Sequence, residues 1–507
     1  MHQYDAVVIG AGNAGLTAAT ALQRGGSKTL LLEKHNIPGG CATSFVRGEF
    51  EFEVALHQLS GLGTAEKPFI MRKVFDTLGV LDKVEFIQEH SLYRLAVPGQ
   101  VDITLPASWS GLKRTLVELF PAESDAIGRF LKLCETICLE SFMTLPQARR
   151  SGSEATLKSM CPHYVEYGFQ SAKAVIDSFF SDHTLKTVIS AYWCYLGVPP
   201  SQIPFPDLAV MIYAYAAFKP WHIKGGSQAM SNALVESFLE AGGEVRFNCG
   251  AEKILTENGA VCGVTLESGE TVRCKAVVSN ASPLHTFNEM LDSEQPPLAI
   301  QQDMKSRRMG TSAVVIYMGL DCTPQELGVT TASSFIYETM DDEAIYRSMN
   351  SLEAPMGGMF TCYNFEDPDC APAGKSQVVL VCLQYGDVWK DVAAEDYAAT
   401  KYAFAERLID MVAKVYPKLR EHIEEVEVAT PLTMMRYLNT PSGAIYGFRQ
   451  STEDSALLRE RLKGVPGLYM AGSWTGMGGF QPTYMAGEST ARAVLKHLKK
   501  AGEVQHV

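Results

Sequence analysis

No C-x-x-C pair occurs among the twelve cysteines of this 507-residue chain, and none of them carries the spacing of a metal site. That excludes a dithiol reductase and a thiolate metal centre, leaving most of these residues as small buried apolar groups in a reducing compartment. No apolar run approaches the length of a membrane span. The longest, residues 208–218 (LAVMIYAYAAF), suits a core helix better than an apolar lip that dips into a bilayer. Basic residues are outnumbered, 44 Lys and Arg against 57 Asp and Glu, for a formal charge of −13, and no basic stripe with interleaved aromatics exists. Nucleic acid is therefore not a partner. Lys496, Lys499 and Lys500 fit a helix C-terminus better than lipid headgroups. There is no nucleophile elbow, no metal cluster, no Ser/His/Asp order, no internal repeat and no low-complexity segment.

What is present starts almost at once. Residues 6–9 are a short apolar run suited to a buried parallel strand, and Gly10, Gly12 and Gly15 follow in G-x-G-x-x-G spacing. Gly10 permits the tight turn, Gly12 lets a pyrophosphate approach the backbone, and Gly15 with Ala19 lets helix and strand pack closely. A helix from about Asn13 points free N–H groups at the phosphates. Residues 28–32 supply the next strand, and Glu33 at its tip can accept both ribose hydroxyls. An adenine dinucleotide site is expected. A strand beginning near residue 5 leaves no room for a leader segment, so a cytoplasmic location is expected.

The continuation decides for flavin. Pro38-Gly39-Gly40 can cover the pyrophosphate from a second side, and Thr43 or Ser44 can add a hydroxyl. Near the other end, GLYMAG reads as a strand ending in Gly472. The run SWTGMGGFQPT, with Gly479 and Thr483, then opens a helix over 484–498 able to bind the polar edge of an isoalloxazine or the ribityl phosphate. No second G-x-G-x-x-G follows a strand, so no dedicated nicotinamide domain is expected.

The run EKHNIPGGCATSFVRGEFEFEVALHQLSG resembles the flavin amine-oxidase superfamily, and within it the branch of phytoene desaturases, carotenoid isomerases and retinol saturases. Three later stretches are similar to the same family: residues 224–226 with the segment through VVSNASP, VEVATPLTMMRYLNTPSGAIYGF, and GLYMAGSWTGMGGFQPTYMAG. The resemblance implies FAD, held by Gly10, Gly12, Ala14, Gly15, Glu33, Lys34, Gly39, Gly40, Thr43, Ala251, Gly472, Gly479 and Thr483, with no metal. It places His57 beside the flavin as proton donor or polar anchor, with Tyr446 as a second donor and Arg436 nearby. Glu53, where many relatives carry Asp, would hold backbone or ribityl groups, and Trp221 and His222 precede the middle glycine pair. Residues 473–475 depart from the carotenoid desaturases.

The expected fold is α/β: a Rossmann-like, three-layer FAD domain with a parallel sheet, and a discontinuous α+β substrate domain with an antiparallel sheet. The FAD domain takes residues 1–85, 222–285 and 445–507; a helical insert takes 86–221 and the substrate domain 286–444. Helices are predicted over 111–120, 123–146, 170–190, 227–241 and 394–416. Strands are predicted over 261–266, 271–274, 276–279, 312–318, 359–363 and 378–384, with a hairpin turn at 267–270.

The function implied is oxidoreduction at carbon–carbon bonds of a long apolar polyene, isoprenoid or lipid-like substrate. Hydride would pass between a substrate carbon and flavin N5, giving desaturation, saturation or redox-neutral isomerisation. The cofactor supplies reactivity, and the protein supplies position and a dry cavity. A peripheral membrane contact is expected by analogy, and no external electron donor or acceptor is specified. A flavin amine oxidase and a non-catalytic prenyl-lipid-binding protein share the fold and are the alternatives.

Overall fold

A computed structural model describes residues 3–292, 296–454 and 464–504. Its first sheet is built on the strand Tyr4–Ile9, which pairs in parallel with Thr29–Leu32 on one side and Thr271–Ser279 on the other. Glu244–Arg246 extends the parallel set beyond Thr29–Leu32, and Leu468–Met470 adds to it alongside Thr271–Ser279. Chain start, middle and end therefore meet in one sheet.

That sheet is not parallel throughout. Ala251–Glu257 and Ala260–Leu266 form an antiparallel meander that runs into Thr271–Ser279. The two short strands predicted at 271–274 and 276–279 are one nine-residue strand. Lys275 marks the break in the sequence pattern, but it sits on the solvent side of the continuous strand and its ammonium donates to Asp5 at 2.7 Å. The predicted hairpin turn is present, with Gly269 at φ +84°.

Helices Asn13–Arg24, Gly226–Glu240 and Phe480–Val504 cover one face of this sheet. The last begins four residues earlier than predicted. Its small residues have a clear use: a Cβ on Gly487 would stand 2.3 Å from the Ala14 carbonyl oxygen, so only glycine lets the first and last helices touch.

The second sheet has seven strands in the order Ile423–Ala429, Ser312–Leu320, Ser376–Gln384, Gly357–Cys362, Ser333–Tyr337, Ser91–Val97, Val101–Pro106. All pairings are antiparallel except Ser333–Tyr337 with Ser91–Val97. Residues 91–106, expected in a helical insert, thus supply two sheet strands, and Phe86–Gln88 pairs with Trp221–Ile223. The rest of the insert is helical, and the predicted 170–190 helix is broken at Phe180 into Ala172–Phe179 and His183–Ser190. Asp182 caps the second piece by accepting from Leu185 N–H, which forces the break. Helix Phe205–Phe218 is a core helix, most of it buried, and no exposed lip forms there. All twelve cysteines are free thiols, nine of them buried. Among the described residues no helix is long and apolar enough to cross a membrane.

Candidate functional site

Between the two sheets lies one continuous cavity of about 2280 Å³. A site for one drug-sized ligand takes roughly 300–1,000 Å³, so this one has room for a dinucleotide and a second large molecule.

Its first end is made of backbone. Gly10 turns at φ +88°, and a Cβ on Gly15 would stand only 1.8 Å from the Gly10 carbonyl oxygen. Gly39 N–H donates to Ala11 O at 2.8 Å, and Gly12 and Gly39 form a parallel bridge, so the two glycine turns face each other. Gly39 takes φ +123° and Gly40 φ +63°. Helix Asn13–Arg24 starts here with no side-chain cap and no acidic residue in its first turn, leaving its N–H groups for an anion. Asn280, just past the strand Thr271–Ser279, lies against Gly10, Gly12, Gly15 and Gly472. Sequence reading missed it, and a strand ending in Asn-Ala-Ser-Pro was the available signal.

Glu33 holds the next position. Its Oε2 accepts from Ala11 N–H at 2.7 Å and its Oε1 from His35 N–H at 2.8 Å. A carboxylate has about four lone-pair sites, so two remain for ribose hydroxyls. Asn248 and Cys249 N–H groups bond His35 O and Glu33 O, which brings Ala251 into the wall, and exposed Lys34 lies at the rim. Thr43 and Thr483 also line the cavity, but their hydroxyls are engaged: Thr43 donates to Gln228 at 2.6 Å, Thr483 to Gly479 O at 2.9 Å and Phe480 O at 2.8 Å. Gly15 and Gly472 shape the turns without lining the cavity; Gly479, at φ +103°, lines it where the last helix begins.

Glu53 explains how the middle of the wall is held. It is buried and accepts from Ser227 N–H at 2.6 Å, Ser227 Oγ at 2.7 Å, Leu56 N–H at 2.9 Å and Ala55 N–H at 3.1 Å. Burial raises its pKa in spite of these donors. The carboxyl fastens the start of helix Gly226–Glu240 to the 54–57 turn, and that turn aims His57 into the cavity. His57 Nδ1 lies 2.7 Å from Thr361 Oγ1, and its ring stacks on Tyr195 at 6.2 Å. Desolvation lowers the imidazole pKa to about 4, so it is neutral at physiological pH.

Tyr446 lines the same chamber, and burial raises its pKa. Gly478 packs on its backbone, where a Cβ would meet Tyr446 Cα at 2.6 Å. Arg436 is placed elsewhere: it is exposed at the rim beside Tyr437, whose ring lies 5.8 Å from His35 at the dinucleotide end. Trp221 and His222 are buried outside the cavity, His222 facing Asp367 at 3.3 Å. Beside His57 and Tyr446 the lining includes the apolar and aromatic side chains Phe45, Leu56, Tyr195, Met211, Tyr215, Ala313, Val315, Tyr317, Met359 and Val381, while charged residues such as Arg47, Arg149, Lys401 and Glu427 line the cavity as well. No group of three or more potential metal ligands occurs among the described residues.

These features define a flavoprotein fold, and the comparisons agree. The flavin containing amine oxidoreductase family matches residues 13–495, and the chain belongs to it. It is an FAD-dependent oxidoreductase. More narrowly, it is similar to all-trans-retinol 13,14-reductase of Danio rerio, 29% identical over 92% of this chain and 82% of that one. It is also similar to the chloroplastic prolycopene isomerase of Daucus carota, 26% identical over 93% and 76%. Among solved structures an oxidoreductase from Methanosarcina mazei matches with a TM-score of 0.64 at 17% identity, covering 96% of this chain and 100% of that one. A putrescine oxidase variant matches with 0.65 at 12% identity over 98% and 99%. Both of these likenesses concern the fold.

The cradle fits the cofactor on its own geometry. Opposed glycine turns, a bare helix N-terminus and a pinned carboxylate suit pyrophosphate and ribose together.

Proposed function

We propose that this protein changes carbon–carbon bond order or geometry in a long apolar polyene or isoprenoid. The observation that carries this is the direct continuity of the FAD cradle with a chamber walled by aliphatic and tyrosine side chains. Bound FAD supplies reversible two-electron exchange. The chain's own part is to hold an apolar chain beside it, exclude water and handle a proton. Neutral His57 fits a hydrogen-bonding anchor for a substrate end better than a donor that must first be protonated. Tyr446 stands in the same chamber as a hydroxyl donor, and Arg436 at the rim suits the dinucleotide. The names of the reductase and isomerase relatives favour saturation or isomerisation.

The edge near helix Leu145–Ser151 supports a peripheral membrane contact. There Phe142 and Arg149 line the cavity while Leu139 and Met143 stand exposed, Met143 by 62%. A lipophilic substrate could load from a lipid surface at this edge. Met143→Glu should then reduce vesicle co-sedimentation without loss of FAD.

The deciding experiment adds polyenes, retinoids, unsaturated fatty acids and, as a control, amines to purified holoprotein under anaerobic conditions. Dithionite-reduced flavin reoxidised by one polyene shows a saturase, whereas an altered polyene with the flavin unchanged shows an isomerase. Oxidised flavin reduced by an amine would instead establish an amine oxidase, for which Tyr195, Tyr317 and Tyr446 would be the aromatic walls.

A further inference from the structure

The segment that carries His57 into the cavity is held by elements far away in the chain. Val54 O accepts from the Tyr317 hydroxyl at 3.0 Å, Leu56 O from Tyr363 at 2.8 Å and Gln58 O from Tyr215 at 3.3 Å. These three buried tyrosines stand on the strand Ser312–Leu320, the short helix Tyr363–Phe365 and the helix Phe205–Phe218. Between those bonds His57 Nδ1 meets Thr361 Oγ1 at 2.7 Å. Thr361, on the strand Gly357–Cys362, is 2% exposed and lies behind the cavity wall rather than in it. Backbone and ring of His57 are thus fixed separately, the one by tyrosine hydroxyls and the other by a threonine.

The threonine contact decides which ring nitrogen carries the proton. Desolvation keeps the imidazole neutral, so one nitrogen is an N–H donor and the other a bare acceptor. The Thr361 hydroxyl has one hydrogen to give, and His57 Nδ1 is its one side-chain partner among the described residues. If Nδ1 were the donor, that hydroxyl hydrogen would be buried with no acceptor, which costs the full desolvation penalty. Thr361 therefore donates to Nδ1, and the proton of the ring sits on Nε2. With Nδ1 turned to the threonine behind the wall, the Nε2 edge faces the cavity, and the ring lies within 9° of parallel to Tyr195. Beside it are the apolar side chains of Leu56, Met359 and Val381.

We propose that Thr361 is a positioning residue that sets His57 as an Nε2–H donor, and that this donor selects apolar substrates bearing a hydroxyl or carbonyl oxygen over plain hydrocarbons. This rests on the polyene and isoprenoid reading above and narrows its substrate class. A hydrocarbon end placed against His57 would leave Nε2–H buried and unpaired, and a site built to hydrogen-bond an oxygen rejects the analogue that lacks it. Such selection needs a donor whose place is fixed, which is what the three tyrosine bonds to residues 54, 56 and 58 supply.

The test uses FAD-loaded protein and two probes: a retinoid alcohol, and the hydrocarbon in which a methyl replaces its hydroxymethyl group. Nitrogen-15 spectra of histidine-labelled protein, with the His57 signals identified by their loss in His57→Gln, should show Nδ1 bare and Nε2 protonated. Thr361→Val keeps the side-chain shape, removes the hydroxyl and should mix the two tautomers, whereas Thr361→Ser should keep the wild-type pattern. In titrations followed by the visible flavin bands, the wild type should bind the alcohol about 10-fold tighter than the hydrocarbon. That ratio should fall to about 2-fold in T361V and recover in T361S. Structural damage alone would weaken both probes together and keep the ratio. A protonated Nδ1 in the wild type, no preference for the alcohol, or an unchanged ratio in T361V overturns the proposal and leaves the functional reading intact. Wild-type protein that binds neither probe overturns the functional reading and the selection with it.

Discussion

At the dinucleotide end the cavity wall is backbone: Gly10, Gly39 and Gly40 take positive φ, and a Cβ on Gly12 or Gly39 would stand 2.8 Å from Asn280 Nδ2 or 2.0 Å from the Ala42 carbonyl oxygen. At the other end it is side chain, assembled from Leu56, Met211, Ala313, Met359 and Val381 on elements far apart in the chain. The first kind of wall binds phosphates through N–H groups whose position tolerates no substitution. The second binds by apolar burial, which many residue sets satisfy equally well. One end is thus specified residue by residue, and the other only by shape and polarity.

The sharpest way to break this contrast is at Gly39. A Cβ there would lie 2.0 Å from the Ala42 carbonyl oxygen at φ +123°, so Gly39→Val should abolish FAD binding, read as colourless protein after reconstitution. At the apolar end, His57→Phe should keep FAD but slow polyene turnover about 10- to 100-fold, measured on FAD-saturated protein. An equal loss of FAD in both variants would erase the distinction.

Acid–base behaviour sharpens it further. Burial pushes Glu89 up to about 8 and Asp342 up to about 7, above their unfolded values. Their contribution to stability is fully present below the unfolded carboxyl range and is lost as pH rises through 7 to 8. His57 has the opposite sign: depressed to about 4, it contributes above its unfolded value near 6.5, and that is lost as pH falls towards 4. The melting temperature should therefore drop between pH 6 and pH 9, and Glu89→Gln should shrink that drop by on the order of a few °C. The smallest effect is expected at exposed Arg436: Arg436→Ala should change stability by no more than about 0.5 kcal/mol and leave the chemical step within about twofold.

The same contrast explains what could be read from the chain. Gly10, Gly12, Gly15 and Glu33 form a local pattern, because one strand, one turn and one helix make that corner. Gly39, Gly40 and Ala251 join it through backbone bonds of adjacent segments. Glu53 was singled out, yet its partner Ser227 lies 174 residues away, so its task of holding the His57 turn had no local signature. Strands Ser91–Val97 and Val101–Pro106 escaped notice because they complete a sheet whose other strands come more than 200 residues later. Arg436 adjoins a glycine-containing turn in sequence, but the exposed face of helix Pro431–Leu438 carries it to the rim. Thr361 was invisible for the same reason as the apolar wall: only the fold brings it behind His57.

The central claim is that the FAD cradle and the apolar chamber are one site. Titrating oxidised holoprotein with a retinoid, while following the visible flavin bands, tests it most directly. A saturable spectral shift is expected in the wild type, and Ala313→Phe, which fills the chamber, should abolish it without releasing FAD. No shift in the wild type, or an unchanged shift in A313F, would contradict it.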